Sequence, residues 1–67
     1  MSVLQGTVLD FTAAAGGTAV LDDGRRVELA AGAQGELPGL ARGQRVRLRV
    51  DERGIAVAAA PLTLPLP

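Results

Sequence analysis

An unbroken alternation of charged and apolar residues lies in the second half of the chain. Between positions 44 and 50, three arginines alternate with three apolar residues: Arg45, Arg47 and Arg49 with Val46, Leu48 and Val50. A period of two is that of a β-strand with one buried face and one solvent-exposed face. This segment is therefore predicted to be a half-buried strand whose arginines, called the arginine row below, lie on its outer face.

Turn signals divide the first half of the chain into further segments of strand length. Val3–Phe11 is predicted to be a strand in which Gly6 marks a bend, a coil or the close approach of another backbone. Thr18–Leu21 and Arg25–Leu29 are predicted strands on either side of the dipeptide Asp23-Gly24. Because both residues of this dipeptide tolerate the positive φ of a type I′ turn, it predicts a tight hairpin.

The second half of the chain contains one more predicted strand and a long connection. A turn at Arg53-Gly54 leads to Ile55–Ala60, which is predicted to be the closing strand, because a segment this short between a glycine and a proline cannot form a stable helix. Gly32–Gly43 shows no alternation and is predicted to connect the third and fourth strands. One helical turn is expected within this connection, at Leu37–Ala41.

Five short strands with turns in pairs predict an all-β fold: a small five-stranded antiparallel Greek-key barrel of the oligonucleotide-binding type. Residues 1–60 would form this single domain, and residues 61–67 would form a Pro/Leu-rich C-terminal tail. The interleaved prolines favour an extended tail. Two interpretations of the tail stay open. It is either a loosely held terminus or a segment that packs on the barrel, on a second copy or in the groove of a protein partner.

The residue types that are missing exclude several classes of function. The 67 residues include no cysteine, histidine, tryptophan, tyrosine or lysine. The chain therefore has no disulfide and lacks the usual ligands of zinc and haem, so neither a metal nor a cofactor is expected. Its serine and threonine hydroxyls also lack the side chains that ordinarily act as a base, and we expect no enzymatic activity.

Charge and hydropathy narrow the choice of partners. Seven acidic and seven basic residues cancel at pH 7, so an anionic partner would have to be bound by a local patch. The arginine row is the candidate patch; the alternative is a solvated face whose arginines pair with nearby acids. The acidic pairs Asp22-Asp23 and Asp51-Glu52 each lie in a turn before a glycine and are interpreted as turn residues rather than a metal site.

The chain shows no sign of a membrane segment or a secretion signal. No apolar stretch approaches the roughly 20 residues of a membrane-spanning helix. The first residues lack the basic and apolar regions of a signal peptide. We therefore expect a cytoplasmic protein without a membrane partner.

Four stretches of the chain resemble the cold-shock domain family, and the resemblance extends from Leu4 to about Leu62. Gly6–Phe11 (GTVLDF) is similar to the family's Gly-x-Val-x-Trp-Phe strand, and Ala15–Val20 (AGGTAV) lies at the place of its Lys-Gly-Phe-Gly-Phe-Ile motif. Val27–Ala31 (VELAA) lies at its Val-Phe-Val-His-Phe motif. The fourth stretch, Leu40–Val46 (LARGQRV) and on through Gly54 to Ala60, is similar to its Leu-x-x-Gly-Gln-x-Val strand with the following turn and closing strand. A weaker likeness, carried by Gln5–Leu9, Leu21–Gly24 and Gly43–Val46, is to bacterial translation initiation factor one, a family with the same fold.

The resemblance implies binding of single-stranded RNA or DNA without catalysis. Cold-shock domains stack successive bases on exposed aromatic rings. By the resemblance, Asp10 stands at the position of the stacking tryptophan, and Gly17 and Ala19 stand at aromatic positions of the first motif. Because each lost stack costs roughly 1 to 3 kcal/mol, the binding is expected to be weak.

The residues left to carry this binding are few. Phe11 is the remaining candidate for base stacking, and its alternative role is that of a core ring. The resemblance adds its polar neighbours, and the alternating strand adds the arginine row, so that the predicted site is Phe11, Thr7, Thr18, Arg45, Arg47 and Arg49. The alternative function is a barrel that no longer binds nucleic acid and serves as a protein-interaction or self-association module, with a protein partner or a homodimer formed through the tail.

Overall fold

In a computed structural model that describes residues 2–66, the chain forms five strands and no helix. They are β1 (Ser2–Thr12), β2 (Gly16–Leu21), β3 (Arg26–Leu29), β4 (Arg45–Val50) and β5 (Ile55–Pro61). They close into a barrel in the order β1-β2-β3-β5-β4. The predicted all-β five-stranded barrel is confirmed. One neighbouring pair, β3 and β5, is parallel, because a closed ring with an odd number of strands cannot alternate direction throughout.

The first strand holds the barrel together because it pairs on both sides. Residues 2–7 of β1 pair with β4, residues 6–12 pair with β2, and a bulge between Val8 and Asp10 turns the strand between its two neighbours. Gly6 lies where the two pairings overlap. A Cβ atom at this position would lie 2.5 Å from the carbonyl oxygen of Val20. Of the three roles that the sequence left open for Gly6, the structure shows the close approach of another backbone.

The core lies inside the barrel and consists of aliphatic side chains. The alternation predicted for β4 is confirmed, since Val46 and Leu48 are 0% exposed and Val50 is 8% exposed. Val8 and Leu29 are the other large side chains that are almost fully enclosed. This burial, rather than any cross-link, holds the strands together.

The parallel seam between β3 and β5 is the shortest pairing in the ring. Only Glu28 with Ile55 and Leu29 with Ala56 are paired there. Two backbone hydrogen bonds extend the seam into the following loop: Ala30 N donates to the Ala56 carbonyl and Ala59 N donates to the Ala33 carbonyl, both at 2.9 Å. The start of the long connection thus lies along β5.

The hairpin between β2 and β3 differs in turn type from the expectation. Among the residues of this loop, only Gly24 has a positive φ, 92°. The predicted type I′ turn is therefore wrong, because that turn requires a positive φ at Asp23 as well. The Gly24 N–H donates to the Leu21 carbonyl at 2.9 Å, and the Asp23 carboxylate accepts the N–H of Arg25 at 3.0 Å. The strand β3 begins one residue later than predicted, and within the loop only Gly24 adopts the left-handed conformation.

Two other local predictions are also corrected. The helical turn at Leu37–Ala41 is absent, and the turns of the long connection lie before it, closed by the N–H groups of Ala33, Gly35 and Leu37. The tail is not extended along the part that the structure describes. The Leu64 N–H donates to the Pro61 carbonyl at 3.0 Å and closes a turn directly after β5. Pro67, the last residue of the predicted tail, lies outside the described residues, as does Met1.

Candidate functional site

The strand register arranges the outward-facing side chains of the barrel in rows. One row, across β1, β2 and β3, contains Asp10, Thr18 and Glu28. The next row runs from Arg26 through Val20 and Thr7 to Arg45 on β4. Of the residues predicted for the site, Thr7 and Arg45 are therefore neighbours, and the Arg45 Nη1 lies 3.3 Å from the Thr7 hydroxyl. Thr18 lies in the adjacent row.

Arg45 is engaged by an acid of the β2–β3 loop. Its two terminal nitrogens donate to the two carboxylate oxygens of Asp22 at 2.6 and 3.0 Å. These hydrogen bonds lower the pKa of Asp22 and raise the pKa of Arg45. Both side chains are about half exposed, 46% and 54%, so the surrounding water screens the pair and its net contribution to stability is small.

The other two arginines of the row lie further along β4. Arg47 is half-buried and donates from Nη2 to the main-chain carbonyl of Leu64 in the tail. Arg49 is also half-buried and lies opposite Val3 of β1 and Ala58 of β5. The row therefore faces the N-terminal half of β1 and the tail, away from Thr18.

Phe11 lies apart from the arginine row. It is half-buried and packs against the hydrophobic core near the far end of β1, opposite Gly17 of β2. Ala19 is 0% exposed and faces the core, so it does not occupy a surface position like the aromatic residue to which the resemblance matches it. Thr18, which lies between Gly17 and Ala19 on β2, has its side chain on the outer face.

A shallow cleft lies on the outer face of the first three strands. It has a volume of about 420 Å³ and is lined by Leu9, Asp10, Thr18, Arg26 and Arg42. Within residues 2–66 the guanidinium groups of Arg26 and Arg42 form neither an ion pair nor a hydrogen bond. The cleft thus brings two arginines without an ion-pair partner among the described residues next to Thr18 and next to Asp10, the position matched to the stacking tryptophan.

Sequence reasoning did not include Arg26 and Arg42 in the site. Alternation within β3 was a sufficient signal for Arg26, since it places this arginine on the outer face with Glu28. Arg42 carries no such signal because it lies in the long connection. The N–H of Gly43 donates to the Val8 carbonyl at 2.7 Å, and this contact brings the end of the connection over β1.

The remaining acidic residues mainly stabilise loops. Asp51 accepts the N–H groups of Ile55 and Arg53 at 3.1 and 2.9 Å, and these bonds, that of Ile55 foremost, lower the pKa of its carboxyl group. Asp23 is held in the same way by Arg25. Over residues 2–66, no cluster of three potential metal-ligating side chains is formed. No helix long and apolar enough to cross a membrane occurs in that range either.

Comparison of the chain with protein-family models, with characterised proteins and with solved structures found no significant match. The function is therefore argued from the barrel and its surface.

Proposed function

We propose that this protein is a cold-shock-like barrel that binds a single strand of RNA or DNA weakly, through its phosphates, on the outer face of β1–β3. The observation that carries the proposal is that Arg26 and Arg42, at the cleft beside Thr18, have no ion-pair partner among the described residues. An arginine fork matches the geometry of a phosphate group, and a threonine hydroxyl can donate to a phosphate oxygen. The cleft lies on the face that the resemblance assigns to nucleic acid.

Two features of this face limit the affinity. Asp10 and Glu28 flank Thr18 in the same row and repel phosphate. The face also lacks an exposed aromatic ring, because Phe11 packs against the core. Each stacked base would add about 1 to 3 kcal/mol, and this term is missing. We therefore expect binding that depends on phosphate contacts and has little sequence preference.

The test is fluorescence anisotropy of labelled single-stranded oligonucleotides at 50 and 200 mM salt. Two phosphate contacts on a single strand give a slope of about −1.4 in the plot of log K against log salt, or an affinity loss of about sevenfold over this range. The double variant Arg26→Gln/Arg42→Gln is expected to lose this salt dependence and most of the binding. The control Arg25→Gln/Arg53→Gln has the same net charge as the double variant. The two arginines that it replaces pair with Asp23 and Asp51 in the hairpin loops of the wild type.

The two variants separate a site from a general charge effect. Equal weakening by both variants would contradict the proposed face, because only net charge would then matter. A folded protein that binds no oligonucleotide at 50 mM salt would contradict the proposal itself and favour the protein-interaction module.

A further inference from the structure

Two alanines on the outer face of β5 are buried although they lie outside the barrel. Ala58 and Ala60 pair with Arg49 and Arg47, which lie on the outer face of β4. They are nevertheless only 6% and 0% exposed, and neither belongs to the cluster of core residues. Outward-facing alanines with this burial have to be covered from outside the barrel.

The tail reaches this face. After the turn at Pro61 the chain reverses, and the carbonyl of Leu64 accepts the hydrogen bond from Arg47. The Nε of Arg47 is buried as well and has no partner among the described residues. A buried donor without a partner is costly. The tail therefore accepts a hydrogen bond from Arg47 Nη2 but leaves its Nε unsatisfied.

The cover is loosely packed. Leu62 and Leu64 remain 39% and 41% exposed. On the other side of the tail, a groove of about 590 Å³ separates residues 64–66 from residues 34–37 of the long connection. Movement of the tail would expose Ala58 and Ala60 and break the hydrogen bond to Leu64, but the unsatisfied donor of Arg47 would gain access to water or to a ligand.

We propose that residues 62–66 are a removable cover over a second phosphate-binding surface, formed by Arg45 and Arg47 on the outer face of β4. Alternate residues of a strand stand about 7 Å apart, a spacing that suits successive phosphates of an extended nucleic-acid strand. The exposed pair of Arg45 with Asp22 exchanges readily for a phosphate. This inference rests on the proposed single-strand binding and adds a means of regulating it.

The test releases the tail within the full chain. Leu64 and Leu66 line the groove, so the double variant Leu64→Ser/Leu66→Ser weakens the packing of the tail. Val3→Ser is the control, because it removes an exposed apolar side chain that lies outside the tail and does not line the groove. With a labelled oligothymidylate, the double variant is expected to bind about threefold to tenfold tighter at 50 mM salt. Its salt slope should steepen by about 1.4, the contribution of two added phosphate contacts, one at Arg45 and one at Arg47.

The role of Arg47 is tested in the released variant. Adding Arg47→Gln should abolish the gain in affinity, whereas adding Arg53→Gln, the same change of charge in the β4–β5 loop, should preserve it. The inference is overturned if the double variant binds no more tightly than the wild type. It is equally overturned if the gain survives Arg47→Gln. Far-UV circular dichroism confirms that each variant is folded.

A second readout needs no nucleic acid. In ¹⁵N relaxation measurements, the amide of Thr63 should have an order parameter of about 0.8 in the wild type and below about 0.6 in Arg47→Gln. A mobile Thr63 in the wild type would overturn the cover. If Leu64→Ser/Leu66→Ser binds the oligonucleotide and the wild type does not, the result would support the cover and contradict the proposed face on β1–β3. Absence of binding in every variant would overturn both proposals.

Discussion

Substitution of Gly6 by alanine tests the close approach of β1 and β2 directly. The new Cβ atom would lie 2.5 Å from the Val20 carbonyl oxygen and 3.2 Å from the carbonyl carbon. Both neighbours are backbone atoms, so no side chain can turn aside. The two strands must separate by several tenths of an ångström at the point where β1 also pairs with β4. Overpacking of this kind costs about 1–3 kcal/mol, and each weakened ladder hydrogen bond adds about 1 kcal/mol.

The expected loss for Gly6→Ala is therefore about 2–4 kcal/mol. A domain of this length has a total stability of about 3–10 kcal/mol, so the variant would be marginally folded. With a urea m-value of about 1 kcal/mol per molar, the unfolding midpoint should fall by about 2–4 M. The chain has no tryptophan, and far-UV circular dichroism is the suitable probe. Gly39→Ala is the control, since nothing lies within 4 Å of a Cβ atom there. Midpoints of the two variants within about 0.5 M of each other would refute the reasoning.

Two further predictions concern the core and the acidic loops. Leu48 is 0% exposed, and Leu48→Ala should lower the free energy of unfolding by about 2–5 kcal/mol in a urea titration. Val3 is 58% exposed, and Val3→Ala should change it by less than about 0.5 kcal/mol. Similar losses for both variants would contradict the assigned core. The pKa values of Asp22, Asp23 and Asp51 are lowered in the folded state. As the pH falls, the unfolded chain therefore takes up protons before the folded chain does. The free energy of unfolding should be constant above about pH 5 and decrease below about pH 4. A urea midpoint that is the same at pH 5 and pH 3 would show that these hydrogen bonds do not stabilise the fold.

The barrel could be predicted because its determinants are local. The alternation of Val46 and Leu48 with arginines specifies a strand and its buried face without reference to the rest of the chain. Glycine in the middle of an otherwise regular strand indicates a close approach, as found at Gly6. The loop errors are local too. At the β2–β3 hairpin the positive φ is confined to Gly24, and in the long connection the turns lie at residues 30–37, before the segment predicted to be helical.

The surface could not be predicted to the same extent, because it depends on contacts between distant parts of the chain. The pairing of Arg45 with Asp22 and the contact of Arg47 with Leu64 follow from the closure of the barrel and from the turn after β5. Register matters as well. A shift of one residue turns every side chain of a strand to the other face. Ala19 illustrates this effect. The motif match places it at a surface position, but its side chain lies in the core, between neighbours that face outward.

The short seam between β3 and β5 has a consequence for the order of folding. The β1–β2–β3 meander and the β4–β5 hairpin each join neighbours in sequence, so their ends meet after the closure of short loops. The seam instead joins residue 28 to residue 55 and rests on two paired positions. Forming this pairing has a high loop-closure entropy cost, and it adds few stabilising contacts until the ring is complete. Since the β1–β4 pairing also joins distant residues, we expect the meander and the hairpin to form first and the two to join afterwards through both pairings.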